Sequence, residues 1–225
     1  MRSLAVGLLG AVGLVTVAPL AGANLVTNAS FETPVVPAGS FTNFGVASLA
    51  LTGWSVSGLS FTNVSIVSGS FSQNGVSFPA EDGSQWLDLT GDGSNSNESV
   101  SQPVVTTAGD QYQLSYYIGN TTGGQIFGTT STVDVLLNGS LAFVDTNALP
   151  SPTTLIWEQF THTFIASGAT TSIGFRNADP STDNSNGLDN VVLTDLGPAG
   201  PAPEPATLAL IGVGLAALGF SRRKE

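Results

Sequence analysis

The sequence predicts an all-β protein, a β-sandwich of about nine antiparallel strands between two short apolar ends. From residue 24 to residue 195 the chain is dense in Gly, Ser, Thr and Asn, and its apolar runs are too short for amphipathic helices. Those runs are bounded by Gly, Pro, Asn or Asp, which favour turns. The chain has 225 residues and no Cys, so a buried core and not disulfides must hold the domain together.

The N-terminal end, residues 1–23, has the pattern of a secretory signal peptide. Arg2 gives a positive start, the run from Leu4 to Leu20 is almost wholly apolar, and Ala21-Gly22-Ala23 supplies the small residues of a cleavage site. The pattern predicts a signal helix that is removed after Ala23. The alternative is an apolar helix that stays attached as a membrane anchor.

The clearest strand is Gln111 to Ile118, in which apolar and polar residues alternate, so that one face is core and the other is wet. Two further strands, Val133 to Leu137 and Leu141 to Val144, flank Asn138-Gly139, a pair suited to a tight hairpin turn. The remaining strand candidates share the same short length and turn-forming borders. They are Gly53 to Val56, Val64 to Val67, Gln85 to Leu89, Ser99 to Val105, Trp157 to Ile165, Thr170 to Arg176 and Leu188 to Thr194.

The C-terminal end begins with a Gly/Pro/Ala linker, residues 196–202, and continues as a tail over residues 203–225. The apolar run from Ala206 to Phe220 has 15 residues, short of the ~20 of a comfortable membrane-spanning helix. Basic residues close it and should remain cytoplasmic; they are Arg222, Arg223 and Lys224. The tail is predicted to be a short transmembrane helix that holds the protein outside, and the alternative is an ordinary tail anchor.

Pro203-Glu204-Pro205 before a short apolar helix and an Arg-rich end resembles the PEP-CTERM sorting signal of Gram-negative bacteria. The resemblance covers residues 203–225 only. It implies recognition and processing by an exosortase, in bacteria that make extracellular polysaccharide. The expected protein is therefore exported to the cell envelope or beyond and anchored transiently in the inner membrane by its tail.

The body of the chain is strongly acidic. Residues 24–202 hold 14 Asp and Glu against a single cation, Arg176, which gives a formal charge of −13. Such a surface excludes nucleic acid as a partner, because binding phosphate needs clustered Lys and Arg. Divalent cations are the natural partners of such a surface.

A second resemblance covers nearly the whole mature domain and is carried by short motifs in a fixed order. They are Asn28-Ala29-Ser30-Phe31-Glu32, Gly53-Trp54, Asp82-Gly83-Ser84-Gln85-Trp86-Leu87-Asp88-Leu89, Ser101-Gln102-Pro103, Gly109-Asp110-Gln111-Tyr112, Trp157 with Phe160 and Phe164, and Gly187-Leu188-Asp189-Asn190-Val191. Together they resemble the galactose-binding-like jelly roll of carbohydrate-binding modules. The resemblance implies a jelly-roll sandwich, a polysaccharide partner, and a structural Ca²⁺ shared by Glu32 and Asp189.

Asp189 needs a partner on physical grounds as well. It shares strand parity with Val191 and Leu193, so it should point toward the core if they do, and a buried carboxylate must be paired or coordinated. Ca²⁺ suits an acidic extracellular domain. The alternatives are an ion pair with Arg176 or capping of local backbone amides. The acidic loops 92–98 and 179–186 do not match a calcium-binding loop and are predicted to be solvated.

No pattern in the chain predicts catalysis. The single histidine, His162, is predicted to lie at a sheet margin, because no motif places a nucleophile or acid beside it. A ligand site is expected to combine solvent-facing aromatic rings with polar groups. The candidates are Trp86, Tyr117 and Phe127 as rings, with Asp88, Asn120 and Gln125 as polar partners.

The expected function is a non-catalytic surface or matrix protein that binds polysaccharide. The first alternative is a purely structural surface protein without a ligand, in which the tryptophans fill the core. The second is a polysaccharide-active hydrolase that uses a pair of carboxyl groups.

Overall fold

The computed structural model describes residues 22–93, 97–124 and 126–200, and these residues form thirteen β-strands and no helix. The strands are β1 Phe41–Gly45, β2 Ser55–Ser57, β3 Asn63–Ser68, β4 Ser72–Gln73, β5 Val76–Ser77, β6 Gln85–Asp88, β7 Ser99–Val105, β8 Asp110–Asn120, β9 Ser131–Leu137, β10 Ser140–Asn147, β11 Ile156–Ile165, β12 Thr170–Asn177 and β13 Gly187–Pro198.

Two antiparallel sheets form the sandwich. One has the order β1-β3-β6-β13-β8-β11 and the other the order β10-β9-β12-β7-β2, while β4 and β5 form a separate hairpin. From β6 to β9, and again from β11 to β13, consecutive strands alternate between the two sheets. The predicted all-β jelly-roll sandwich is thus confirmed. The predicted Asn138-Gly139 turn also joins β9 to β10, with both residues at positive φ (51° and 78°).

The main core lies between the sheets and follows the alternation seen in the sequence. On β8, Tyr112, Leu114, Tyr116 and Ile118 are all buried there. Trp54 also fills this core, where its ring lies 5.4 Å from Phe31 and 6.1 Å from Phe175, centroid to centroid.

Residues 1–21 and 201–225 lie outside the described residues. The predicted signal helix, the apolar helix 206–220 and the basic end therefore have no structural description here. Within the described part of the chain, no helix is long and apolar enough to cross a membrane.

Asp145 connects the two sheets at one side of the sandwich. It lies on β10, the edge strand of the five-stranded sheet, and contacts two residues of the six-stranded sheet. Nε2 of His162, on edge strand β11, lies 2.7 Å from Oδ2 of Asp145, and the Tyr116 hydroxyl donates to the same oxygen. The His162 ring also stacks on Phe143 of β10 at 4.0 Å. His162 thus lies at a sheet margin, where it has a structural role.

We expect His162→Ala to lower the free energy of unfolding by about 2 kcal/mol, since it removes a hydrogen bond to a carboxylate and a ring contact. Urea unfolding followed by fluorescence measures the change. Thr163→Ala is the matched control, because Thr163 is the exposed neighbour on the same strand and should change stability by less than ~0.5 kcal/mol. Equal effects of the two substitutions would contradict a sheet-connecting role.

Candidate functional site

The six-stranded sheet also buries residues on its outer face, away from the main core. This second group, here called the outer cluster, consists of buried apolar residues from β3, β5, β6 and the loops that cover them. They are Val67, Val76, Phe78, Trp86, Phe127 and Leu155, with Phe71, Ala80 and Trp157 packed against them. The β4–β5 hairpin and the segment around residue 127 thus cover part of a sheet face that would otherwise be exposed to solvent.

A pocket of about 270 Å³ opens beside the outer cluster; we call it the outer-sheet pocket. Its apolar wall is aromatic: Phe41 and Phe71 meet edge to face at 5.6 Å, and Phe78 stacks on Trp86 at 6.1 Å. Phe41 is 37% exposed whereas Trp86 is 1% exposed. Phe41 therefore lies at the mouth of the pocket, and Trp86 forms its floor.

Polar groups line the rest of the pocket, and the acidic and amide groups among them come from two separate segments of the chain. Asp88 ends β6, Asp92 follows in the next loop, and Asn184 precedes β13. Such a pocket offers apolar faces on one side and hydrogen-bonding groups on the other, which is the usual composition of a small-ligand site.

Asp88 is the most perturbed group in the pocket. Its Oδ1 accepts hydrogen bonds from the Thr90 backbone amide (3.0 Å), the Thr90 hydroxyl (2.8 Å) and the Asn186 backbone amide (3.1 Å). Burial raises the pKa of Asp88 to about 7, although these hydrogen bonds oppose the shift. Near neutral pH the carboxyl group can therefore act either as a hydrogen-bond donor or as an acceptor toward a ligand.

Three of the six residues predicted for the ligand site meet at this pocket: Trp86, Asp88 and Phe127. Trp86 and Phe127 were expected to face solvent, and that expectation is wrong, because the hairpin and loops of the outer cluster cover both rings. Trp86 even donates its indole N–H to the Phe78 carbonyl (3.2 Å). The alternative, in which large aromatics fill the interior, describes these rings better.

The other three predicted residues are not brought to the pocket. Asn120 is fully buried and holds loops together, since its Nδ2 donates to the carbonyls of Thr129 (3.3 Å) and Leu149 (3.0 Å). Tyr117 lies on the outer face of β8, opposite Asp189 of β13. Gln125 lies outside the described residues.

Sequence reasoning missed Phe41, Phe71 and Phe78 because it did not predict β1 or the β4–β5 hairpin. A signal was present at Asn74-Gly75, which joins β4 to β5 with both residues at positive φ (51° and 79°). This is the same dipeptide that correctly predicted the β9–β10 turn.

The two predicted calcium ligands both accept backbone amides from residues 81–85, which lead into and begin β6. Oδ2 of Asp189 accepts the amides of Glu81 (2.9 Å) and Asp82 (3.1 Å). Oε1 of Glu32 accepts the amides of Ser84 (2.7 Å) and Gln85 (2.8 Å). These contacts match the alternative in which Asp189 caps backbone amides. Calcium at these two residues stays a prediction.

The parity argument for Asp189 needs correction. A β-bulge lies between Asp189 and Val192, with Asn190 at φ 47°, so the alternation is reset in this strand. Leu188 and Val191 enter the main core, whereas Asp189 pairs with Tyr117 on the outer face. It is nevertheless fully buried, beneath residues 81–82, and burial raises its pKa to about 8. Arg176 is not its partner, because the guanidinium binds Asp134.

The loop 179–186 is also not solvated as predicted, because Asp183, Ser185 and Asn186 are buried.

Several solved structures are similar to this chain at low sequence identity. The CBM22-1 xylan-binding domain of Paenibacillus barcinonensis Xyn10C is 16% identical with a TM-score of 0.47, over 81% of this chain and 100% of that chain. TmCBM61, solved with β-1,4-galactotriose, is 17% identical with a TM-score of 0.39, over 76% of this chain and 97% of that chain. The arabinose-bound α-L-arabinofuranosidase MgGH51 is 14% identical with a TM-score of 0.47, over 78% of this chain but 27% of that chain. No curated protein is significantly similar in sequence.

Two family models match the chain in adjacent regions. The PEP-CTERM protein-sorting motif matches residues 201–224, so the predicted sorting signal is confirmed and indicates export and sorting to the envelope. The model described as HpiC1 cyclase matches residues 23–194, which is most of the chain and includes every strand that contributes to the outer-sheet pocket. The chain therefore belongs to the HpiC1 cyclase-like family.

Proposed function

We propose that this protein is processed by an exosortase at the cell envelope and binds carbohydrate in the outer-sheet pocket without catalysing a reaction. Its tail would anchor it in the inner membrane until processing, and its partner would be extracellular polysaccharide. The observation that supports carbohydrate binding is the pocket itself, which combines aromatic walls with Asp88, Asp92 and Asn184. Sugars present C–H faces and hydroxyl groups, which match these two kinds of surface.

The size of the pocket favours a small ligand unit. A volume of about 270 Å³ is near the lower end of ligand pockets, which span roughly 300–1,000 Å³. The pocket therefore fits the end or a single branch of a glycan better than a long segment of it.

The charge of the domain favours a neutral glycan. Residues 24–202 carry 14 acidic side chains and one Arg, and Asp88 and Asp92 lie in the pocket itself. A uronic-acid or sulfated polysaccharide would meet like charge there.

The test is binding of the purified exported protein to an array of neutral and acidic glycans. Phe41→Ala removes the ring at the mouth, and we expect it to weaken binding about tenfold or more, since stacked rings at such sites contribute about 1–3 kcal/mol. Phe61→Ala is the matched control, because Phe61 is 75% exposed and does not line the pocket. No retention on any glycan would leave the purely structural surface protein as the better explanation.

A second candidate function is ring closure, which the description of the family as a cyclase suggests. The observation that favours it is Asp88, a carboxyl group with a pKa of about 7 beside aromatic faces. A carboxylic acid of this kind can donate a proton, and aromatic faces stabilise positive charge that develops on the substrate.

To distinguish ring closure from binding without a reaction, the protein is incubated with any ligand it retains. The products are then analysed by mass spectrometry. Ring closure by proton addition and loss yields an isomer of unchanged mass and altered retention, whereas a hydrolase would release reducing sugar. Asp88→Asn should abolish either reaction. Recovery of the ligand unchanged would support the non-catalytic proposal.

A further inference from the structure

A buried polar cluster lies where the segment between β12 and β13 folds back on the sandwich. Its members are oxygen-bearing residues from that segment and from the end of β6: Asp179, Ser185, Asn186 and Asp88. Ser185 and Asn186 are 1% and 0% exposed. We call this group the oxygen cluster. It shares Asp88 and Ser185 with the wall of the outer-sheet pocket.

Two residues hold the side chains of Asp179 and Asn186 side by side. The amide of Thr132 donates to Oδ1 of Asp179 (2.5 Å), and the carbonyl of Thr132 accepts from Nδ2 of Asn186 (2.6 Å). Oδ1 of Asn177 accepts from the same Nδ2 (2.8 Å) and from the Asp179 amide (3.2 Å). Because a carbonyl can only accept, the Thr132 contact fixes which way the Asn186 amide is turned, and its oxygen is left on the other side.

Three oxygens of this cluster are buried and accept no hydrogen bond in the described part of the chain. They are Oδ2 of Asp179, Oγ of Ser185 and Oδ1 of Asn186. Buried polar atoms are paired in the great majority of cases, because leaving one unpaired is costly. Three unpaired oxygens on neighbouring residues of one buried cluster point to a bound cation, which oxygen atoms can coordinate.

No cationic side chain of the described residues can fill that role. Arg176 is the one Arg or Lys between residues 22 and 200, and its guanidinium binds Asp134. His162 is engaged with Asp145.

We propose that the oxygen cluster binds a hard divalent cation, Ca²⁺ in an extracellular setting, through Asp179, Ser185 and Asn186 with Asp88 beside them. The donors are carboxylate, amide and hydroxyl oxygens, which Ca²⁺ prefers, and no nitrogen or sulfur donor is among them. In the described residues no three acidic or His side chains are placed to hold a metal together. The site is therefore built largely from neutral oxygens, which fits the weak affinity of extracellular calcium modules, about 10⁻⁴–10⁻³ M.

The site differs from the calcium site predicted at Glu32 and Asp189, whose oxygens already accept backbone amides. It also extends beyond the proposed glycan site, because Asp179 and Asn186 do not line the outer-sheet pocket.

The test is a Ca²⁺ titration of the EDTA-treated, dialysed exported protein by calorimetry, with thermal unfolding in 10 mM Ca²⁺ as a second readout. We expect a Kd of about 10⁻⁴–10⁻³ M and a rise in Tm of about 3–10 °C. Asp179→Asn keeps the shape and hydrogen bonds of the side chain but removes its charge, and it should weaken Ca²⁺ binding at least tenfold. Ser185→Ala, which removes one neutral oxygen, is a second variant that should lower the affinity.

Two kinds of control separate this site from the alternatives. Glu158→Gln removes a carboxylate on β11, away from the cluster, and should leave Ca²⁺ binding unchanged. Glu32→Gln and Asp189→Asn should also leave it unchanged if the oxygen cluster is the site. Loss of binding in those two variants but not in Asp179→Asn would overturn the proposal in favour of the other pair, and no Ca²⁺ binding to the wild-type protein at 10 mM would overturn it outright.

Discussion

Asp189→Ala is expected to lower the free energy of unfolding by about 3–5 kcal/mol. The carboxyl group is fully buried and accepts three backbone amides, those of Glu81, Asp82 and Asn190, at 2.8–3.1 Å. Removing it leaves three donors without their acceptor, and each such group in a buried place costs about 1–3 kcal/mol. Water entering the vacated space recovers part of this, so the expected loss lies below the simple sum. Urea unfolding in EDTA measures it.

Asp189→Asn is the matched control for this prediction. The oxygen of Asn can still accept from the amides of Glu81 and Asp82, whereas its NH2 group then faces the Asn190 amide and loses that one hydrogen bond. We expect a loss of less than half that of Asp189→Ala. If Asn were as harmful as Ala in EDTA, the negative charge and not the acceptor oxygen would be the stabilising feature.

Trp86→Ala is expected to destabilise the protein by about 3–5 kcal/mol and to abolish ligand binding together with it. The indole ring is the floor of the outer-sheet pocket, donates to the Phe78 carbonyl and meets Trp157 edge to face at 5.8 Å. Its removal leaves a cavity that the outer cluster cannot close, because the β-sheet behind it is rigid. Chemical unfolding and glycan binding of the same preparation give both readouts.

Trp54→Ala provides the comparison for this prediction. Trp54 is equally buried but lies in the main core between the sheets, away from the pocket. It should cost similar stability while the folded fraction keeps its ligand affinity. If both variants lost binding to the same degree, the effect would come from general loosening and the pocket would not be the ligand site.

The sandwich could be predicted because its strands carry local information. Gln111 to Ile118 alternates cleanly, and Asn138-Gly139 fixes a turn, so β8, β9 and β10 follow from short stretches of sequence. Strand β1 could not be found this way, since it is an exposed edge strand whose residues lack a clear apolar alternation. Its presence depends on pairing with β3.

The candidate site was predictable only in part, because exposure on a sheet face depends on what covers it. The β6 motif predicts Trp86 and Asp88 as site residues. Whether the outer face of the sheet is exposed to solvent at these residues depends on the β4–β5 hairpin, which covers it. The bulge at Asn190 shifted Asp189 to the opposite face without any strong signal in the sequence. Burial of Asn186 likewise depends on its hydrogen bonds to Asp88 and to the Thr132 carbonyl, which lie far away in the sequence.

The position of the two ends of the sandwich domain has a mechanical consequence. Leu25 donates its amide to the Leu193 carbonyl (3.0 Å), and Oδ1 of Asn24 accepts from the Leu193 amide (3.0 Å), so the start of the sandwich domain is bound to β13. The same strand continues to Pro198, directly before the sorting tail. Any pull on a tethered tail therefore enters the sandwich through β13, an interior strand bound to β6, β8 and the N-terminal segment. Such a strand resists extraction far better than an edge strand would, because the hydrogen bonds along both of its sides must break before it leaves the sheet.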